Sequence, residues 1–175
     1  MNKTLITLIS LFSFVCFAQS KNNIPKEYEL MKNAKDINLS FDYSTMKVKK
    51  VNIKNFVELK LNMPFERFTS NVESVFIEAA NDELDKQGMK FIGKDESSDI
   101  EIKITFLDAD PDGEHNISII VFHKPSSTVI SSFEENSNGG DGDSFVEQFV
   151  TGLQKTGEKV GKRINKIKKS VNSEK

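Results

Sequence analysis

The sequence is poor in the residue types that most often carry chemistry. Among 175 residues there is one cysteine, Cys16, and there are two histidines, His115 and His123. Cys16 lies in a segment that we expect to be removed on export, so the mature chain has no thiol for a disulfide, a zinc site or a nucleophile. No complete catalytic motif is present either. These absences predict a protein that is not an enzyme.

Long hydrophobic runs are also lacking beyond the first residues. Residues 1–18 combine Lys3 with an apolar run that ends at Ala18, a pattern typical of a secretory signal peptide cleaved after Ala18. This run is too short for a transmembrane helix, and no later segment replaces it. Val15 precedes Cys16 where a lipoprotein signal needs a small residue, which favours a soluble protein over a lipid-anchored one. We expect export to the periplasm or the outer membrane, or release from the cell.

No strong excess of charge of either sign is present, because the formal net charge is -2. This balance argues against a nucleic-acid partner. The charges are nevertheless unevenly distributed. Most of the charged residues between positions 78 and 114 are acidic, and most of those between positions 154 and 175 are basic. The simplest interpretation is two solvated faces of opposite sign.

Hydrophobic periodicity predicts a single α+β domain at residues 36–171. A polar N-terminal segment precedes it at 19–35, and a disordered tail follows at 172–175. The clearest alternation of apolar and polar residues lies between Asp99 and Phe133 and predicts an antiparallel hairpin followed by a third strand. The lysine-rich stretch from Met46 to Leu61 predicts an edge strand, because lysine discourages pairing between sheet edges.

Apolar residues at steps of three and four predict two amphipathic helices. The first opens at Pro64 and stops near Gly88, and the second starts at a capping box formed by Ser144 and Glu147. The order of elements predicts an antiparallel or mixed sheet of about four to five strands with two amphipathic helices on one face.

This layout resembles the small α+β domains of bacterial envelope lipoproteins. The similar features are the helix that ends L-D-K-Q-G-M-K-F-I, the strand S-S-D-I-E-I-K-I, the Gly-Gly loop and the C-terminal helix, from Val51 to Ile167. The resemblance is to an uncharacterised family of exported lipoproteins and, more distantly, to the N-terminal domain of TolB and to the synthase-activating and curli-secretion lipoproteins. It implies an envelope protein with the predicted fold.

The turn of the hairpin holds the only cluster that resembles a metal site. Asp108, Asp110 and Asp112, followed by Gly113, match the first half of a calcium-binding EF-hand loop. The second half fails, because Ile119 occupies the position of the bidentate glutamate. An ordinary turn explains the same residues, since aspartate bonds its own backbone and glycine accepts unusual dihedrals. A calcium-dependent binding module is therefore one alternative function.

A hydrolase is the second alternative. Ser126 and Ser127 follow His123 closely, but no nucleophile-elbow motif surrounds either serine. No pair of carboxylates has a spacing that singles out an acid and a base. We therefore expect no cofactor and no catalytic residues.

The basic C-terminal helix is the last candidate site. Lys155, Lys159, Lys162 and Lys166 lie opposite the apolar stripe of that helix. The dipole of the helix favours lysine near its C-terminus, which explains part of the pattern. The remaining part favours a non-enzymatic binding module whose partner is another envelope protein or a glycan, with peripheral contact to an anionic membrane surface as a further option.

Overall fold

A mixed β-sheet runs through the part of the chain that the computed structural model describes, residues 24–93 and 96–173. The predicted signal peptide, residues 1–18, lies outside these ranges. The strands are β1 (Asp36–Asp42), β2 (Lys47–Val48), β3 (Val51–Asn52), β4 (Lys90–Ile92), β5 (Ile100–Ala109), β6 (His115–His123) and β7 (Thr128–Ser137). The α-helices are α1 (Ile53–Lys60), α2 (Phe65–Leu84) and α3 (Phe145–Asn172), and two 3-10 helices lie at Lys26–Met31 and Asp85–Gln87.

The hairpin predicted at the centre of the sequence is confirmed as the centre of the sheet. β5 and β6 pair antiparallel, and β7 pairs antiparallel with β6. On its other side β5 is parallel to β1, which is also parallel to β4. Parallel neighbours need a long crossover connection, which α1 and α2 provide between β1 and β4. The fold is therefore α+β with a mixed sheet, as predicted.

One face of the sheet is buried under the helices and the other faces solvent. Lys103 and the other polar residues that alternate along β5 lie on the solvent side. At the end of β5 the register shifts between Phe106 and Asp108, so Leu107 forms a bulge and Ala109 returns to the buried face. The core joins all three α-helices to this face through side chains that include Ile102, Ile104, Ile117, Ile119, Val57, Phe76 and Phe149.

The predicted number of strands was too low, and the single edge strand from Met46 to Leu61 was wrong. The structure has seven strands in the described residues, and this segment forms the short hairpin β2–β3 followed by α1. The edge position itself is confirmed, because β3 stands at one end of the strand order. Ile53, Phe56 and Val57 have helical spacing, and the side chain of Asn52 caps α1 by accepting from the Lys54 backbone N–H at 2.9 Å. The helices also number more than the two predicted.

Both ends of the predicted domain extend further than expected. Met31, inside the polar segment 19–35, is fully buried in the core, and Ala34 is 8% exposed. At the other end α3 continues to Asn172, so the helix reaches into the predicted tail 172–175. None of the helices in the described ranges is long and apolar enough to cross a membrane.

Candidate functional site

The four lysines predicted as a binding surface do lie in one exposed row on α3. With Lys169 they are separated by steps of four, three, four and three residues, which places their side chains on one side of the helix. We call this surface the lysine face, composed of Lys155, Lys159, Lys162, Lys166 and Lys169. The structure therefore brings together all of the residues predicted for this site.

The lysines of this face differ in their contacts within the protein. Lys159 Nζ donates to the backbone oxygen of Asn136 at 2.9 Å, and so satisfies a carbonyl of β7. Lys162 Nζ lies 3.6 Å from a carboxylate oxygen of Glu83 and 3.4 Å from one of Glu158. Lys155, Lys166 and Lys169 form no ion pair in the part of the chain that the structure describes. These three ammonium groups are therefore the ones most available to a partner.

The position of α3 is fixed by close contact with α2. A Cβ atom added to Gly157 would lie 2.7 Å from the Phe76 backbone oxygen, and one added to Gly161 would lie 2.7 Å from the Ala80 oxygen. Both glycines therefore let the two helix backbones approach more closely than any side chain would allow. At its N-terminus α3 begins with the predicted capping box of Ser144 and Glu147.

A further lysine, Lys168, is buried beneath the same helix. It is 7% exposed, and its Nζ donates to the backbone oxygens of Ala34 and of Gln87, the latter at 3.0 Å. Burial lowers the pKa of Lys168, and the nearby charge of Lys35 lowers it further. The Gln87 carbonyl belongs to the C-terminal end of the helical stretch after α2, where the helix dipole favours a cation. Lys168 thus fastens α3 to both neighbouring segments.

Lys168 was not predicted from the sequence, although the pattern contained a signal. Val160, Ile164 and Lys168 are spaced by four residues, so the lysine stands in the apolar stripe of the helix. A lysine in such a stripe needs oxygen partners inside the protein. No feature of the sequence indicated that these partners would be backbone oxygens from two distant segments.

The Asp-rich turn between β5 and β6 is built as an ordinary turn. Asp110 Oδ1 accepts from the backbone N–H groups of Asp112 at 2.9 Å and Glu114 at 3.1 Å. Asp108 Oδ1 instead accepts from the side-chain amide of Asn116 at 2.7 Å. Within the described residues, no three acidic, histidine or cysteine side chains form a group that could hold a metal ion. Calcium binding by these aspartates therefore stays a prediction.

The glycine of this turn has a role that the EF-hand comparison did not indicate. Gly113 has a φ of 78°, and an added Cβ would lie 2.6 Å from the Phe149 backbone nitrogen. The turn thus packs directly on the first turns of α3. A glycine is required there by backbone conformation and by contact, without any ion.

His115 lines a cleft of about 310 Å³ beside this turn. The imidazole is 2% exposed, with Nδ1 3.0 Å from the Gly113 oxygen and Nε2 3.1 Å from the Thr156 hydroxyl. Burial lowers the pKa of His115 below its ordinary 6.5, and Lys159 lowers it further, while the bond to Gly113 and the charge of Asp108 oppose the change. His115 is therefore a structural, neutral histidine at neutral pH.

The buried imidazole predicts a loss of stability in mild acid. The unfolded chain binds a proton at His115 below about pH 6.5, whereas the folded chain resists protonation there. The contribution of His115 to stability is therefore fully present above that pH and is lost as the pH falls below it. From pH 6.5 down to the lowered pKa of the folded chain, we expect the free energy of unfolding to fall by up to about 1.4 kcal/mol per pH unit. Urea unfolding at a series of pH values measures this slope.

The matched control for this prediction is the other histidine. His115→Gln should flatten the dependence on pH in this window, and His123→Gln, at the last residue of β6, is the control for the loss of a histidine elsewhere. Equal slopes for the parent chain and the His115→Gln variant would show that His115 does not control acid stability.

The structure brings His123 and Ser126 together, as the hydrolase alternative requires. His123 Nδ1 is 2.6 Å from Ser126 Oγ and also accepts from the Ser126 backbone N–H at 3.3 Å. Ser126 Oγ in turn donates to Thr128 Oγ1 at 2.9 Å. All these contacts lie within a turn of a few residues, and no carboxylate bonds to His123 in the described part of the chain. The pair stabilises the β6–β7 turn, and the hydrolase alternative stays a prediction.

Comparisons with known proteins do not assign the chain to a family. No protein-family model matches it, and no curated protein does. Solved bacterial structures resemble its fold at low identity. A Xanthomonas campestris protein of the family DUF330 is 10% identical, with 79% of this chain and 87% of that chain covered and a TM-score of 0.48.

Two further structures are similar at a lower level. PelC of Paraburkholderia phytofirmans, a dodecamer, is 4% identical over 71% of this chain and 87% of its own, with a TM-score of 0.43. A Helicobacter pylori homologue of a neuraminyllactose-binding hemagglutinin is 13% identical over 77% and 86%, with a TM-score of 0.40. Matches this distant carry no argument about function, and they do not confirm the resemblance to TolB or to the envelope lipoproteins.

Proposed function

We propose that the chain is an exported, non-enzymatic envelope protein that binds an acidic partner, either another envelope protein or an acidic glycan. The lysine face of α3 is the binding surface. The single observation that carries this proposal is the exposed row of lysines in which Lys155 and Lys166 have no ion pair within the described residues.

The arrangement of the helix supports this role. α3 is held by the contacts of Gly157 and Gly161 with α2 and by the buried ammonium of Lys168. A row of cations on a rigid helix is ordered before the partner arrives, which lowers the entropic cost of binding. Rigid spacing also favours a partner whose acidic groups repeat along a line, such as an acidic helix or a glycan chain.

The electrostatic surroundings limit which lysines contribute. Glu83 and Glu158 neutralise part of the charge of Lys162, and the backbone oxygen of Asn136 holds Lys159 against β7. Lys155 and Lys166 lie outside these contacts, as does Lys169, so their full charge remains for an external acidic group. We therefore assign them the largest share of the binding energy.

Charge reversal at these two positions tests the proposal. Lys155→Glu with Lys166→Glu should weaken binding to immobilised polyglutamate or heparin about tenfold or more at low salt, since each surface charge contact contributes up to about 1 kcal/mol. Binding of the parent chain should also weaken as salt screens the charges. Column retention across a salt gradient measures both effects, followed by capture from a detergent extract of bacterial envelopes.

The matched control is Lys26→Glu with Lys90→Glu, which changes the net charge equally at two exposed lysines outside α3. This control should retain most of the binding. Equal losses in the two double variants would show that only the net charge matters and would contradict a specific lysine face.

A further inference from the structure

A second basic surface lies at one end of the strand order. It consists of β2, β3 and α1, residues 47–60, which we call the edge unit. β3 stands at the end of the order, and β2 joins β5 only through the pair Val48↔Ala109. Ile53 and Val57 are 1% and 0% exposed and fix α1 to the core. The edge unit is therefore firmly attached while most of its remaining side chains face solvent.

The edge unit carries a strong positive charge. Its five lysines are all exposed, and Glu58 is its only acidic residue. Lys54 lies 4.0 Å from Glu58, and the other four lysines form no ion pair with any residue that the structure describes. The five lysines are Lys47, Lys49, Lys50, Lys54 and Lys60. This excess of charge is complementary to a dense anionic surface.

Apolar side chains are exposed among these lysines. Leu59, directly before Lys60, is 77% exposed, and Val51, directly after the turn, is 37% exposed. Leu59 is the most exposed of the large apolar side chains on the described surface. No side chain of this kind is exposed on α3, whose lysine face is purely polar. The edge unit thus combines cations with apolar groups, and the lysine face does not.

The turn of the β2–β3 hairpin holds two lysines in a strained backbone conformation. Lys49 and Lys50 have φ angles of 49° and 69°, the left-handed region required at both central positions of a type I′ turn. Asn-Gly is the favoured pair for such a turn, whereas a lysine has to hold its Cβ against the following carbonyl. Stability alone would therefore select other residues, and the two charges at the tip need another explanation.

We propose that the edge unit binds the surface of an anionic lipid bilayer. The ammonium groups of its lysines contact the lipid phosphates, while Leu59 and Val51 enter the boundary between headgroups and acyl chains. Cations placed beside exposed apolar side chains are the combination that holds peripheral proteins at such a surface. A soluble acidic partner would need only the lysines, as on the lysine face. Such a partner would not explain the exposed side chain of Leu59.

A tryptophan reporter tests contact of Leu59 with the bilayer. The sequence contains no tryptophan, so Leu59→Trp gives a single fluorescent probe in the chain from Gln19 to Lys175, which keeps the whole described core. Its emission should move to shorter wavelength with vesicles of phosphatidylglycerol and phosphatidylcholine, and should stay unchanged with phosphatidylcholine alone. Val129→Trp, a control at a site 50% exposed on β7, should show no shift.

A second variant separates membrane binding from folding. Lys49→Asn with Lys50→Gly removes two charges and gives the turn its preferred residues, so it should raise the Tm. It should also weaken binding to the mixed vesicles about thirtyfold, since each lysine near an anionic surface contributes a factor of about five. Removal of two charges outside both basic surfaces, by Lys26→Gln with Lys90→Gln, should leave vesicle binding close to that of the parent chain.

Each outcome of these experiments decides the proposal. The proposal is supported if the tryptophan emission shifts to shorter wavelength at position 59 and not at position 129, and if the variant Lys49→Asn with Lys50→Gly is more stable but binds the vesicles more weakly. Unchanged vesicle binding by the Asn-Gly variant would overturn it. So would equal shifts at positions 59 and 129, or equal binding to neutral and anionic vesicles.

Discussion

Replacement of Phe149 by alanine is expected to lower the free energy of unfolding by about 3–5 kcal/mol. Phe149 is fully buried in the core, and its ring lies 5.7 Å from that of Phe68 and 5.9 Å from that of Phe106. These neighbours belong to α2 and β5, so this side chain joins α3 to both layers of the fold. The cavity left by alanine could not close without moving one of these elements.

The same substitution should change the behaviour of His115. The two rings are 4.9 Å apart, so a cavity at position 149 would admit water to the imidazole and reduce the burial that lowers its pKa. Urea unfolding should then show a lower midpoint and a shallower dependence on pH. Leu59→Ala is the control, because that side chain is 77% exposed and its loss should change stability by less than about 0.5 kcal/mol. Similar losses for the two variants would contradict this view of the core.

The sequence allowed the central elements to be predicted because their periodicity is long and regular. The isoleucines of β5 and β6 alternate over many residues, and α2 repeats its apolar positions over twenty residues. The prediction of a single strand from Met46 to Leu61 was wrong because the apolar residues of this segment are few and its elements are short. Two strands of two residues and a helix of eight provide too little periodicity to separate strand from helix.

The candidate sites differ in how far local sequence determines them. The lysine face was predictable, since helical spacing alone places its members on one side of α3. The anchors that hold this helix were not, because Lys168 bonds to carbonyls of residues 34 and 87, which only the tertiary fold brings near. The strain at Lys49 and Lys50 was equally hidden, because it depends on a turn type that the assumed single strand does not contain.

Leucine at both Gly157 and Gly161 is expected to lower the free energy of unfolding by about 4 kcal/mol. Each overpacked site costs about 1–3 kcal/mol, near the upper limit for a side chain as large as leucine, and the better helix propensity of leucine offsets nearly 1 kcal/mol of this at each site. Helix propensity predicts the opposite sign, because leucine is favoured over glycine by nearly 1 kcal/mol in a helix interior. The contact decides the result. An added Cβ at either position would lie 2.7 Å from a backbone oxygen of α2, and backbone atoms cannot rotate away as a side chain does.

Displacement of α3 would also disturb the contacts that depend on its position. The Nζ of Lys168 would withdraw from the Gln87 oxygen, and Lys162 would withdraw from Glu83. The control pair Gln154→Leu and Lys166→Leu places the same side chain at exposed positions of the same helix, and should leave stability within about 0.5 kcal/mol of the parent. If the glycine variant were instead more stable than the parent, helix propensity would outweigh packing. The close approach of α2 and α3 would then not be what fixes the lysine face in place.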